Sequence, residues 1–332
     1  MTRPAETRVW TYLLPLRAPL QVKDRTLRMR EGVLVWTRDA DGVEHLAEAA
    51  PLPGYSTDAL EMALHQMLRH ARSPSADRWW VPAPSVQCAL DMLAASAGNA
   101  VSVAVNGLAL GDPEAASGEE IARLKACGCV KIKVGRAPVA DDLLRVRAWA
   151  ARLGDTRLRL DANQAWDLHD ASAFARAIAD LPLEYIEEPL QNPAQLSKFA
   201  RDTGAPLALD ETLQSGLPER AGEWNLRAVV LKPTALGGFA RARALAEVAG
   251  AVGSQSVVSS LFESSVGLAH LAHFAATLPG ASTHHGLDTA GAFAADTLIP
   301  PLRVEEGRIS APPPHALSAL KNDDPLREAL HV

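Results

Sequence analysis

Short apolar runs alternate with longer amphipathic stretches along the chain, and the rhythm differs between its first third and the rest. Residues 8–16, 32–37 and 42–49 are short and rich in β-branched, leucine and aromatic positions, which predicts a strand meander. Residues 57–72 put Leu60, Ala63, Leu64, Met67 and Leu68 on one helical face, with Thr57 or Asp58 as the cap. A second helix is expected over 85–97, after Pro82 and Pro84. Strands followed by helices make residues 1–99 a small α+β domain.

Residues 100–300 read differently. Apolar runs at 101–105, 130–134, 158–161, 184–187, 207–210, 228–232 and 256–259, with a weaker eighth at 284–288, alternate with helical stretches such as 141–153, 171–181 and 239–249. That alternation is the signature of parallel βαβ units, and eight of them fit a TIM-type (β/α) barrel. A doubly wound open sheet would want a Gly-rich phosphate loop after its first strand, and Val105-Asn106-Gly107-Leu108 is not one. The fold class is therefore α/β, a barrel with an N-terminal α+β domain.

Composition narrows the partners. With 48% hydrophobic and 22% charged residues in 332, the chain is an ordinary globular protein. Its net charge of −6 and lack of a basic run exclude nucleic acid as the main partner. No apolar run is long enough to span a membrane, and the N-terminus lacks a secretory signal, so the expected location is the cytoplasm. Cys88, Cys127 and Cys129 form neither a disulfide framework nor a zinc site. Trp79 and Trp80 are expected as core or interface aromatics, and His284 and His285 as loop residues.

The chemistry sits where the apolar runs end. Lys131 and Lys133, Asp161 and Asn163, Glu187, Asp210, Lys232 and Ser259 close successive runs, about one βα unit apart. In a barrel all these ends meet at one face, where barrel active sites lie. Taken singly, each has a structural explanation: an edge strand wearing charge, a turn cap, a helix start. Together, five ionisable residues ending five consecutive buried strands would be costly unless a site used them. Three carboxylates without Cys or His make a hard oxygen site suited to Mg²⁺. A lysine near that metal and a second cation is pushed toward its neutral form, so Lys133, with Lys131 beside it, can act as a general base. The matching reaction is proton abstraction α to a carboxylate, with Lys232 and the metal holding the enediolate.

These residues resemble the muconate-lactonising branch of the enolase superfamily, through Lys131-x-Lys133, Asp161-x-Asn163, Glu187-Glu188-Pro189, Asp210-Glu211 and Lys232-Pro233. Within that branch the likeness is to the o-succinylbenzoate synthase family. It includes residues 23–32, Glu48-Ala49-Ala50-Pro51-Leu52-Pro53-Gly54-Tyr55-Ser56, residues 259–268 and Gly286-Leu287-Asp288-Thr289.

The resemblance implies a modified barrel under an N-terminal cap, with residues 301–332 returning to that cap and loops 23–32 and 51–56 lining the pocket. It implies Mg²⁺, for which Mn²⁺ can substitute, on Asp161, Glu187 and Asp210. Lys133 would take a ring proton and help the hydroxyl leave as water, opposite Lys232. Lys131 and Arg159 would tune the metal ligands, Asn163 would orient one, Ser259 and Gly286 would hold a succinyl end, and Arg159 would join them in binding substrate. The implied activity is Mg-dependent dehydration of a small carboxylate, 2-succinyl-6-hydroxy-2,4-cyclohexadiene-1-carboxylate, in menaquinone biosynthesis, with no obligate protein partner. The alternatives are an N-acylamino acid racemase or dipeptide epimerase of the same superfamily and, more remotely, a non-catalytic barrel that binds a ligand. Dipeptide epimerases usually carry Asp-x-Asp near the last strand to hold a substrate ammonium; here Gly286 stands in the first of those places, and Thr234 stands two residues after the second lysine, where many relatives have Asp or Asn.

Overall fold

A long antiparallel hairpin, β1 (Glu6–Val22) and β2 (Arg25–Arg38), opens the chain and is extended by β3 (Glu44–Ala49). The computed structural model describes residues 4–73, 80–95, 98–280 and 284–331, so Trp79 lies outside the described residues. Alternation along the strands gives the sheet two apolar faces. Val9, Val33, Val35, Ala47 and Ala49 pack beneath α1 (Leu60–Arg72) and α2 (Pro84–Leu93), with Trp80 beside them, stacked on His70. Trp10, Tyr12, Leu14, Leu34 and Leu46 face the other way and belong to the main core shared with the following helices and strands. Helix α1 begins with its apolar face at Leu60, later than a cap at Thr57 or Asp58 would set it, with Ala59 at the cap position. Asp58 is drawn away from capping, because its carboxylate accepts hydrogen bonds from the Ser85 N–H (3.1 Å) and Oγ (2.5 Å) and so ties α2 to α1.

After β4 (Val101–Ala104) and β5 (Gly107–Ala109) the βα units follow in order. They are α3 (Gly118–Ala126), β6 (Cys129–Lys133), α4 (Val139–Leu153), β7 (Arg157–Asp161), α5 (Leu168–Ala177), β8 (Leu183–Glu187) and α6 (Leu196–Thr203). Then come β9 (Leu207–Leu209), β10 (Leu226–Leu231), α7 (Pro233–Leu236), α8 (Phe239–Ala251), β11 (Gln255–Val258) and α9 (Ser265–Thr277). Strands β5 to β11 form one parallel sheet of seven. Residues 284–286 close it as an eighth stave. His285 exchanges main-chain hydrogen bonds with Ala104 and Asn106, and Gly286 with Val258 and Ser260.

The run 101–105 is more than the first barrel strand the sequence suggests. The chain breaks at Val105-Asn106, so β5 pairs with β6 while β4 pairs antiparallel with β13 (Arg308–Ala311), which also holds β12 (Val304–Glu305). The chain then returns to the cap, where β14 (Leu326–His331) pairs with β1. Among the described residues no helix is long and apolar enough to cross a membrane.

His285 is not the loop residue its sequence context suggests. Its buried ring accepts the Val258 N–H at Nδ1 (3.1 Å), and burial lowers its pKa to about 4. His270 in α9 is also buried, with Nε2 on the Leu46 carbonyl (2.8 Å), and is likewise lowered to about 4. Both are neutral in the fold, whereas in the unfolded chain they titrate near ~6.5. The unfolded state thus binds more protons as pH falls from about 6.5 to about 4, and stability drops through that window by at most about 3 kcal/mol per histidine. Urea melts of the native protein and of His285→Asn, whose amide oxygen replaces the Nδ1 acceptor, check this. The variant should lose less stability between pH 7 and pH 4.5; an equal loss would exclude His285 as a source.

Candidate active site

Strand parity sends Lys131 and Lys133, Arg159 and Asp161, Tyr185 and Glu187, Ala208 and Asp210, and Val230 and Lys232 into the barrel. The lower interior is filled by Tyr185, Ala208, Ala228, Val230 and Val257. The register aligns Lys133 with Asp161 and Asp161 with Glu187, so the polar residues form one layer at the C-terminal ends of the strands.

Ion pairs knit that layer together. Lys131 Nζ lies 2.9 and 2.8 Å from the two Glu187 oxygens and 2.7 Å from Asp161 Oδ2. Lys133 Nζ donates to the same Asp161 oxygen (2.6 Å) and to Asn163 Oδ1 (2.7 Å). Across the site Lys232 is paired with Asp210 Oδ2. The two lysines expected to work as a pair therefore stand on different carboxylates. Asp161 and Glu187 are fully buried, while the Lys133 side chain keeps 25% of its surface exposed.

The electrostatics separate the lysines. Burial lowers the pKa of Lys133; Asp161 opposes this, but Lys131 and Lys232 add to the lowering. For Lys131, burial is outweighed by Asp161 and Glu187, and for Lys232 by Asp210 and Glu211, so both are raised and stay charged. Burial works against ionising Asp161 too, yet Lys131, Lys133 and Lys232 hold it well below the usual carboxylate range. Glu187 is pushed up to about 8 by burial and then by Asp161, and Glu211 up to about 7 by burial and Asp210.

The residues fit a divalent cation. Asp161, Glu187, Asp210 and Glu211 crowd one buried pocket against the three amino groups of Lys131, Lys133 and Lys232. Glu211 Oε2 is buried and has no hydrogen-bond partner among the described residues. All-oxygen donors with surplus negative charge suit Mg²⁺ or Mn²⁺. A separate group, Asp167, His169 and Asp170, also has ligand atoms within 4.8 Å of one another, but it sits at the start of α5, where Asp167 caps the helix.

Several side chains do something other than their motifs suggest. Asn163 joins Lys133 to the carboxylates: Oδ1 accepts from Lys133, Nδ2 donates to Glu211 Oε1 (3.1 Å), and its main-chain N–H meets Asp161. Arg159 does not reach the mouth. It is wholly buried one layer below, bonded to Glu184, Asn106 Oδ1 and the His284 carbonyl, with its guanidinium over Tyr185. Ser259 and Gly286 do come together, and a Cβ on Gly286 would lie 2.6 Å from Ser259 Oγ.

Glu188, whose role the sequence leaves open, turns away from the candidate metal ligands. It accepts the N–H groups of Asp210 and Thr212 (2.8 Å each), the Thr212 hydroxyl and the Gln164 amide, and so shapes the loop that carries Asp210. Tyr55, from the cap loop, was not singled out in the sequence. Its hydroxyl donates to Asp210 Oδ1 (2.7 Å), and Lys232 Nζ lies 4.2 Å from its ring centroid. An aromatic residue inside the 51–56 motif was the available signal.

Comparison with known proteins places this geometry. The family described as "Enolase C-terminal domain-like" matches residues 115–315, and "MenC, N-terminal domain" matches residues 4–97. The o-succinylbenzoate synthase of Salmonella newport (strain SL254) is 33% identical over 297 residues, covering 83% of this chain and 90% of that protein. The chain belongs to the o-succinylbenzoate synthase family of the enolase superfamily. The o-succinylbenzoate synthase of Escherichia coli (strain SMS-3-5 / SECEC) matches equally well, 33% over 289 residues, covering 85% of this chain and 89% of that one. Solved structures share the fold. A muconate lactonizing enzyme from Pseudomonas fluorescens superposes with a TM-score of 0.81 at 22% identity, covering 98% of this chain and 100% of that one. The L-Ala-D/L-Glu epimerase from Bacillus subtilis gives 0.79 at 24% identity, covering 94% and 97%.

Proposed function

We propose that this member of the o-succinylbenzoate synthase family dehydrates 2-succinyl-6-hydroxy-2,4-cyclohexadiene-1-carboxylate to 2-succinylbenzoate, in the cytoplasm, as a lyase of menaquinone biosynthesis. The observation that carries the reading is the division of labour between two lysines: Lys133, with its pKa lowered, on Asp161, and Lys232, held charged, on Asp210. Lys133 takes the proton from the ring carbon next to the carboxylate, and Asn163 holds its Nζ in place for that step. Lys232 stabilises the enediolate that forms. The protonated Lys133 then gives its proton to the departing hydroxyl on the same face, so that water leaves and the ring becomes aromatic. Asp161, Glu187 and Asp210 would hold Mg²⁺, which supplies further positive charge to the carboxylate oxygens. Ser259 and Gly286 are assigned to the succinyl end.

The epimerase reading needs an acidic group free to meet a substrate ammonium. Asp288, the nearest equivalent, is instead occupied by Arg123 (2.7 Å) and the Leu108 N–H (3.3 Å). The test is a direct assay with the cyclohexadiene substrate, following the absorbance change on aromatisation with Mg²⁺ and with excess chelator. Metal-dependent turnover is expected. A folded, Mg²⁺-loaded protein that leaves this substrate untouched but exchanges the α-proton of N-acylamino acids or dipeptides in D₂O would shift the assignment to an epimerase.

A further inference from the structure

Arg30 is among the largest fully buried side chains, 1% exposed, and none of its hydrogen bonds among the described residues goes to a carboxylate. A guanidinium has five N–H donors in a planar fork. Here each is spent on a different main-chain carbonyl. Nη2 reaches Ala50 (2.5 Å) and Leu261 (3.4 Å), Nη1 reaches Pro51 (3.0 Å) and Glu31 (2.7 Å), and Nε reaches Phe262 (3.1 Å). One side chain on β2 thus ties the base of the cap loop that carries Tyr55 to the barrel loop that begins at Ser259.

The barrel loop is held from its other side as well. Glu263, buried, accepts the Leu261 N–H (2.6 Å), the Ser260 hydroxyl (2.8 Å) and the Thr234 hydroxyl (2.7 Å). Between these two anchors Phe262 adopts φ +59°, a left-handed conformation that a bulky residue keeps only when its surroundings impose it. The candidate metal ligands lie on β7, β8 and the end of β9, in neither of the loops that Arg30 clamps.

We propose that Arg30 is a positioning residue for the substrate pocket: it fixes the separation of the cap loop at 50–56 and the barrel loop at 259–264, and with it the wall that holds the end of the substrate remote from the metal. The inference rests on the functional reading above. Lysine cannot reproduce the clamp, having three donors at a single point.

The experiment compares native protein, Arg30→Lys and Glu263→Gln by steady-state kinetics, by Mg²⁺ titration calorimetry without substrate, and by thermal melting. Arg30→Lys should raise KM about 10- to 100-fold and change kcat less, with Mg²⁺ affinity within about twofold of native, since a displaced wall remote from the metal weakens the binding of substrate and transition state alike. Glu263→Gln, which loosens the same barrel loop without emptying the interface with the cap, should raise KM in the same direction. An Arg30→Lys protein with a lower melting temperature but native KM would make Arg30 a structural clamp only and overturn the inference; so would a fall in Mg²⁺ affinity in step with the rise in KM. If Arg30→Lys does not fold, a native KM in Glu263→Gln overturns it instead. Failure of the functional reading shows separately, in a native protein that neither turns over the substrate nor binds 2-succinylbenzoate.

Discussion

Lys133→Ala and Lys133→Arg should both lower kcat by about 10³- to 10⁴-fold, the upper part of the range for removing a general base, while Mg²⁺ still binds. The two variants fail for different reasons, which is why both are needed. Alanine removes the base and a charge together. Arginine keeps a cation beside Asp161 but cannot give up a proton at any working pH. If the role of Lys133 were to neutralise Asp161, arginine would preserve much of the activity. The lowered pKa of Lys133 argues for the other outcome, because burial and the charges of Lys131 and Lys232 all favour its free amine. Stopped-flow traces at the aromatisation wavelength, set beside calorimetric titration of Mg²⁺, separate the cases. Retained turnover by Lys133→Arg would sink the base assignment.

Asp161→Asn is expected to act on metal and fold together. Asp161 receives Lys131 at 2.7 Å and Lys133 at 2.6 Å on one oxygen, and the Asn163 N–H at 3.1 Å on the other. Removing its charge takes away a ligand and leaves buried ammonium groups short of a counterion. Breaking a buried pair in this way typically costs about 3–5 kcal/mol. Lys131 retains Glu187, so the lower end is expected, about 3 kcal/mol. Mg²⁺ affinity should fall more than about 100-fold, exceeding the ~10- to 100-fold typical of losing a residue that only supports a ligand. Calorimetry gives the affinity and denaturant melts give the stability. A variant that binds Mg²⁺ like the native protein would remove Asp161 from the ligand set. On the native protein, excess chelator should abolish turnover reversibly.

The barrel was legible because its strands are short, apolar and evenly spaced, and because polar residues interrupt them only at their ends. Parity alone put Lys131, Lys133 and Asp161 on one face, and the structure brings them within ion-pair distance. What escaped depends on contacts remote in sequence. Arg159 has the right parity but the wrong depth, since Glu184 and Asn106 hold it below the mouth. Glu188 has the wrong parity and still matters, through two main-chain N–H groups that no pattern announces. Tyr55 is an ordinary loop aromatic until the cap folds over and sets its hydroxyl on Asp210, 155 positions away. The left-handed backbones of Gln164 and Glu188 are equally invisible to propensity, which would place glycine or asparagine at such sites.

The pairing of β14 with β1 sets a clock on biosynthesis. On the ribosome the hairpin of β1 and β2 emerges before the barrel, but the strand that covers its outer edge, from Arg8 to Tyr12, is translated only after it. At ~5–20 residues per second the intervening roughly 300 residues take roughly 15–60 s. Throughout that interval the nascent chain carries an uncovered row of main-chain donors and acceptors, a ready template for pairing with another chain. The half-made chain therefore exposes a sheet edge that the finished fold covers.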